Sequence, residues 1–256
     1  MDLEQPEELS FKELHKALLA LQNKKQAQLL ARFFKTGKGQ YGEGDIFFGI
    51  KVPVTRGAIK QFTKMLITEI QKALESEIHE ERLAGLLILV KQFEQAQKSS
   101  NEKTMHTIFN FYLSNTEHIN NLDLVDLSSH EIVGQYILTH PSERKVLEVL
   151  ARSEKKGRNK LQWLWERRIA IVSTAALIHE MQFEETLKIS KMLLGEKHDL
   201  LHKAVGWMLR EVGKRNEQVL EKFLRENHAK LPRTTLRYAI ERFPEKKRKA
   251  FLQGNF

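Results

Sequence analysis

Residues Asn120 to Asp126 read NNLDLVD, two carboxylates and two amides set among apolar side chains in a chain whose net charge is +9. An acidic spot on a basic chain either holds local structure together or does chemistry. The structural reading is specific. Asp123 and Asp126 stand three positions apart, so Asp123 would be a helix N-cap and Asp126 an acidic residue of the first turn, where the helix dipole favours negative charge. The catalytic reading needs a reaction to serve, and the rest of the chain has to point to it.

Other chemistries find little support. Of the ten histidines, those opening HEERLA at His79 and HEIVG at His130 lack the second histidine of HExxH, so metal-dependent hydrolysis is not indicated. There is no GxSxG nucleophile elbow, and with no cysteines the chain has no disulfides, thiolate metal sites or cysteine nucleophile. No cofactor and no metal are expected. The stretch TGKGQYGEGDIFFGIKVP contains GxGxxG at Gly37, Gly39 and Gly42, but it has no GxxxxGK[ST] and no strand before it. It reads as a turn whose glycines supply positive φ.

The elements that must position these residues are helices. Apolar residues recur at helical spacing from Phe11 to Phe33, Ile59 to Leu74, Leu83 to Phe93, Ile108 to Leu113, Ile132 to Leu138 and Val146 to Leu150. They do so again from Leu161 to Leu177, Thr186 to Leu194, Leu200 to Val212, Val219 to Leu224 and Leu236 to Ile240. Pro53, Pro141, Pro232 and Pro244 punctuate the pattern. The one β-like stretch, DIFFGIKV, is short and reads as a buried loop or the first turn of a helix. The segments ERLAGLLIL, ERRIAIVST and HKAVGWMLR share a cation followed by an apolar run. Their aligned cations Arg82, Arg168 and Lys203 suggest a helical repeat of about 40 residues, within the range of HEAT-like units. Units of this kind stack into a curved solenoid, and cations at one place in the unit would line one face of it. From Lys197 to Phe256 there are 15 Lys and Arg against 7 Asp and Glu, which accounts for nearly all the excess charge. Such asymmetry suggests a polyanionic partner. The expectation is therefore an all-α, HEAT-like helical repeat solenoid, one domain over residues 1–256 with residues 1–9 flexible, curved around a concave basic groove.

Six blocks, in order, resemble one known family: ARFFKTGKGQYGEGDIFFGIKVP, HEERLAGLLILV, NNLDLVD with LSSHEIVGQYIL, LWERRIAIVS, HKAVGWMLREVGK and PRTTLRYAIERF. Together they are similar to the AlkD-type DNA alkylation repair proteins from about Ala31 to Phe243. The resemblance implies a HEAT-like solenoid that wraps duplex DNA, and a monofunctional glycosylase that removes cationic N3- or N7-alkylated purines. It places the family's catalytic aspartate on Asp126, its sugar-cradling tryptophan on Trp207 and a phosphate-binding arginine on Arg168. Lys203 and Arg210 join Arg168 as expected phosphate contacts. The tryptophan that opens the family's W-D-x-V-D block is Leu122 here, and the tyrosine of its A-R-Y block is Phe33.

A second class remains open, a non-catalytic HEAT-like module that binds bent or branched DNA. Leu122 and Phe33 favour it, whereas Asp126 and Trp207 favour the enzyme. A protein-binding solenoid is a third reading. The start MDLEQPEELSFKEL lacks the order of a secretory signal, and no run of about 18 apolar residues is present. The expected protein is a cytoplasmic monomer, nucleoid-associated when bound to alkylated or distorted duplex DNA.

Overall fold

The computed structural model describes residues 9–154 and 161–255; the expectation for residues 1–9 falls almost wholly outside them. The chain packs as two compact units, Met1–Ser128 and Ser129–Phe256. Among the described residues both are helical and contain no strand. No helix there is long and apolar enough to cross a membrane.

The first unit contains α1 (Phe11–Leu19), α2 (Lys24–Phe33), α3 (Val52–Ala58), α4 (Ile67–Leu74), α5 (His79–Lys98), α6 (Glu102–Ser114) and α7 (Leu122–Asp126). The periodicity from Phe11 to Phe33 suggested one helix. Two form, because Asn23 leaves the helical backbone and its side chain accepts the N–H of Gln26, starting α2 afresh. Ser10 and Glu13 close a capping box at the start of α1. The centre of the unit is α5, where every residue from His79 to Val90 is buried. Burial all round marks a helix enclosed by its neighbours, but the first four of these residues are His-Glu-Glu-Arg. Charges in that position need partners, and the loop before α3 supplies several of them.

That loop is the glycine-rich stretch. Ile46 forms an isolated parallel bridge with Ile78, while Phe47, Phe48 and Ile50 are buried, as a buried loop requires. The Glu80 carboxylate accepts the backbone N–H groups of Phe48 at 2.9 Å, Gly49 at 2.8 Å and Ile50 at 3.0 Å. Those donors would otherwise be buried without a partner. Gly49 has φ +85°, and a Cβ there would stand 2.2 Å from the Asn23 carbonyl oxygen, so no other residue fits between the loop and α2.

The second unit opens with a π-helical turn (His130–Gly134) and contains α8 (Gln135–Thr139), α9 (Lys145–Ala151), α10 (Gln162–Ser173), α11 (Ala175–His179) and α12 (Glu184–Leu193). It continues through α13 (Asp199–Arg215), α14 (Glu217–Asn227), α15 (Arg233–Ala239) and α16 (Glu245–Gln253). Pro141 opens a 3-10 turn, and Pro232 and Pro244 stand just before α15 and α16. The long α13 packs on α10, α12, α14 and α15. Gly206 lets α13 and α15 touch closely, since a Cβ there would lie 2.5 Å from the Tyr238 Cβ and 2.7 Å from the Thr235 carbonyl oxygen.

Candidate functional site

Asp126 is the last residue of α7. The capping reading of this segment needs correcting. The N-cap is Asn121, whose Oδ1 accepts the Leu122 N–H at 2.8 Å. Asp123 lies inside the first turn, and its Oδ1 accepts the Leu124 N–H at 2.9 Å. Asp126 thus stands at the C-terminal end of the helix, where the dipole disfavours a carboxylate.

Asp126 is half-buried, and the phenol of Tyr112 lies close enough to feel its charge. Burial pushes the Tyr112 phenol up, the hydrogen bond with Ser128 opposes this, and the Asp126 charge adds to the rise. The Tyr112 hydroxyl bonds Ser128 Oγ at 2.9 Å, and Ser128 donates to the Leu124 carbonyl. A neutral hydroxyl pair therefore anchors the end of α7 to α6.

The beginning of α7 is held by charge. Asn121 Nδ2 donates to Asp45 Oδ2 at 2.7 Å, and Asp123 Oδ2 pairs with His79 Nε2 at 2.9 Å. His79 Nδ1 faces Asp45 Oδ2 at 3.2 Å. Arg82 donates to Asp45 Oδ1 at 2.6 Å and to the Ser76 carbonyl at 2.7 Å. The His79 ring is stacked on Phe47, with centroids 4.5 Å apart, and tilted against Phe34 at 5.0 Å. Burial works to keep His79 neutral, but the charge and hydrogen bond of Asp123 and the hydrogen bond of Asp45 prevail over it and over Arg82, raising its pKa to about 9. Asp45 is held below the usual carboxylate range: burial opposes this, while the His79 hydrogen bond and the Arg82 charge drive it. Two cations and two carboxylates thus balance in the interior. Arg82, expected on a phosphate-lined face, is 4% exposed and belongs to this cluster. Glu81 also bonds His15 and Ser76, each at 2.5 Å, which holds α1 and the turn between α4 and α5 to the start of α5.

Sequence reasoning missed Asp45, His79 and Asn121 as partners of the NNLDLVD segment. The available signal was a buried-helix pattern that begins with four polar residues, HEER, which predicts that fixed partners lie elsewhere in the chain. Phe33 ends α2 and is 68% exposed, its ring T-shaped against Phe34 at 5.0 Å. Leu122 is half-buried at the start of α7.

In the second unit, Trp207 on α13 is half-buried, whereas Trp163 and Trp165 on α10 are buried packing residues. Arg168 is 5% exposed, and its Nη1 donates to the Leu200 carbonyl at 2.7 Å, tying α10 to the first turn of α13. Lys203 pairs with Asp199 at 2.6 Å. Arg210 pairs with Glu241 and, at 3.8 Å, with Glu211. Among the described residues no group of three or more His, Asp or Glu side chains could hold a metal ion.

The DNA alkylation repair enzyme family matches the chain over residues 14–243. The chain belongs to this family. A solved structure described as a predicted DNA alkylation repair enzyme from Enterococcus faecalis is similar to it, with a TM-score of 0.66 and 16% identity, over 88% of this chain and 97% of that one. At that identity the likeness concerns the fold, and it gives the chain a known all-helical, repeat-like architecture. No curated protein matches the chain. Membership of the family makes DNA repair the setting in which Asp126 and the basic C-terminal quarter have to be understood.

Proposed function

We propose that this member of the DNA alkylation repair family is an AlkD-type glycosylase that hydrolyses the N-glycosidic bond of cationic N3- or N7-alkylated purines in duplex DNA. The observation that carries the reading is Asp126, a half-buried carboxylate at the end of a short element anchored at both ends. Alkylation at N3 or N7 makes the purine cationic and a better leaving group. As the bond from C1′ to the base nitrogen breaks, its electron pair leaves with the base, which becomes neutral, and positive charge builds on the deoxyribose. A preorganised carboxylate stabilises that charge where it develops and orients the water that adds to C1′; the proton is lost to solvent. Trp207 is proposed as an aromatic contact to the sugar, and Leu122 and Phe33 are proposed as substrate contacts. Lys203 and Arg210 are proposed to meet DNA phosphates. Arg168 would do so by exchanging the Leu200 carbonyl for a phosphate oxygen, a charge-assisted bond. HEAT-like repeats would present these groups on a basic surface, and the protein would act as a monomer without cofactor or metal.

A second reading, a module that binds distorted DNA without cutting it, draws support from Leu122 and the phenylalanine at Phe33, which offer less polar and aromatic contact than the family pattern. The discriminating measurement is single-turnover release of 7-methylguanine or 3-methyladenine from duplex DNA. Asp126→Asn is expected to slow release by about 10²–10³, the loss typical of removing one preorganised electrostatic group, while folding and DNA affinity are kept. Tight binding with no release by the wild type would reject the enzyme and leave the binding module.

A further inference from the structure

An isolated helix of five residues is far too short to hold its shape in water, so the direction of α7 must be set by what it is tied to. Its first turn is tied to buried charge. Asn121 reaches Asp45, and Asp123 reaches His79, which also faces Asp45. The His79 side chain is 2% exposed, that of Asp45 8% and that of Asp123 18%, so this contact is shielded from water and salt. Phe34 and Phe47 close over the ring. The partners come from three parts of the chain: the glycine-rich loop, the start of α5 and α7 itself.

We propose that His79, as a buried imidazolium clasped between Asp45 and Asp123, is the positioning residue of α7 and thereby fixes where the Asp126 carboxylate stands. Its consequence for catalysis rests on the glycosylase reading; the positioning of α7 does not. Both ring nitrogens donate in the charged form, one to each carboxylate. When the ring loses a proton, one carboxylate faces a lone pair instead of a donor and the clasp opens on that side. The groups that face His79 are Asp45 on the loop, Asp123 on α7 and Arg82 on α5. Because the pKa is raised above the ordinary 6.5, to about 9, the clasp in the folded protein stays protonated until pH rises through about 9, and the stability it supplies is full up to pH 6.5 and fades from there to about 9.

Asp123→Asn is the mild variant for testing this. It keeps the Oδ1 acceptor for Leu124 and nearly the same shape, yet it removes the charge that holds the proton on His79. Full-length wild type and Asp123→Asn would be compared by ¹⁵N NMR titration of the His79 ring, by amide hydrogen exchange at pH 7, and by excision rate against pH. The His79 titration should move toward neutral pH. Amides of residues 124–127 should exchange at least about tenfold faster, as loss of a charge-assisted hydrogen bond implies, while α10 amides in the second unit keep their rates. The alkaline limb of the excision profile should move in the same direction as the His79 titration. Unchanged α7 exchange with a neutral His79 would overturn the proposal, as would a rise spread evenly over α4, α5 and α6. If the wild type excises nothing, the glycosylase reading fails, and ring titration with exchange still decides this one.

Discussion

Leu122 and Asp126 begin and end the same short helix and pull the functional reading in opposite directions. Leu122 is half-buried, so a larger ring at this position can extend toward solvent without forcing the core apart. If the family's aromatic sugar contact is what the chain lacks, Leu122→Trp should raise single-turnover release of 7-methylguanine severalfold, with a melting temperature close to that of wild type. Faster release with unchanged DNA affinity would place the gain in the transition state. Tighter binding with unchanged release would instead make the ring a DNA contact only. Gly206 makes a different residue-scale point. Gly206→Ala puts a Cβ within 2.5 Å of Tyr238, forcing α13 and α15 apart. It should cost about 1–3 kcal/mol in urea unfolding, the usual penalty for overpacking. Trp207 shares that helix, so loss of activity in this variant would report displacement of α13.

At the scale of elements, the glycine-rich stretch is a structural joint. Its backbone N–H groups converge on Glu80, and its Asp45 carries the charges that hold α7. Glu80→Ala would leave three buried donors without a partner, each costing about 1–3 kcal/mol. The first unit should therefore unfold at much lower urea than wild type, or fail to fold. Glu80→Gln keeps one acceptor oxygen and should fall between them. The pH dependence belongs to this scale as well. Stability drawn from His79 is full below pH 6.5 and fades through about pH 9. That drawn from Asp45 is full above the ordinary carboxylate pKa of 3.8 and fades as pH falls through its lowered value. The charged cluster is thus complete between those limits, and thermal melts across pH should show a plateau between about 4 and 6.5, with losses on both sides.

Over the whole molecule, the charge surplus of the last quarter is partly engaged already. Lys203, Arg210, Lys214, Arg225 and Lys247 each pair with a nearby acid. Exposed pairs of this kind are worth about 0–1 kcal/mol, so phosphates can compete for these cations, although the released acids then oppose binding. DNA affinity is expected to fall with salt at a slope of about −0.9 per phosphate contacted, with little sequence preference. A titration from low to moderate salt checks this; a flat response would remove the basic residues from the DNA contact.

The sequence by itself determined the helical architecture, because apolar spacing of 3.6 residues is a local property that burial of one face reinforces. It also determined the family, since six ordered blocks survive even where Leu122 and Phe33 depart from the pattern. The buried-loop character of DIFFGIKV was legible from its short apolar run between glycines. What only tertiary structure decided was the partnership of distant charges. Asp45, His79, Arg82 and Asp123 span 78 positions of sequence, and neither periodicity nor motif spacing relates them. Their placement depends on α5 burying its charged first turn against a loop and against α7. For the same reason Arg82 and Arg168, alike in sequence with Lys203, became interior residues while Lys203 stayed partly exposed: a cation's exposure follows from the acceptors the fold brings to it, and those are set by long-range packing.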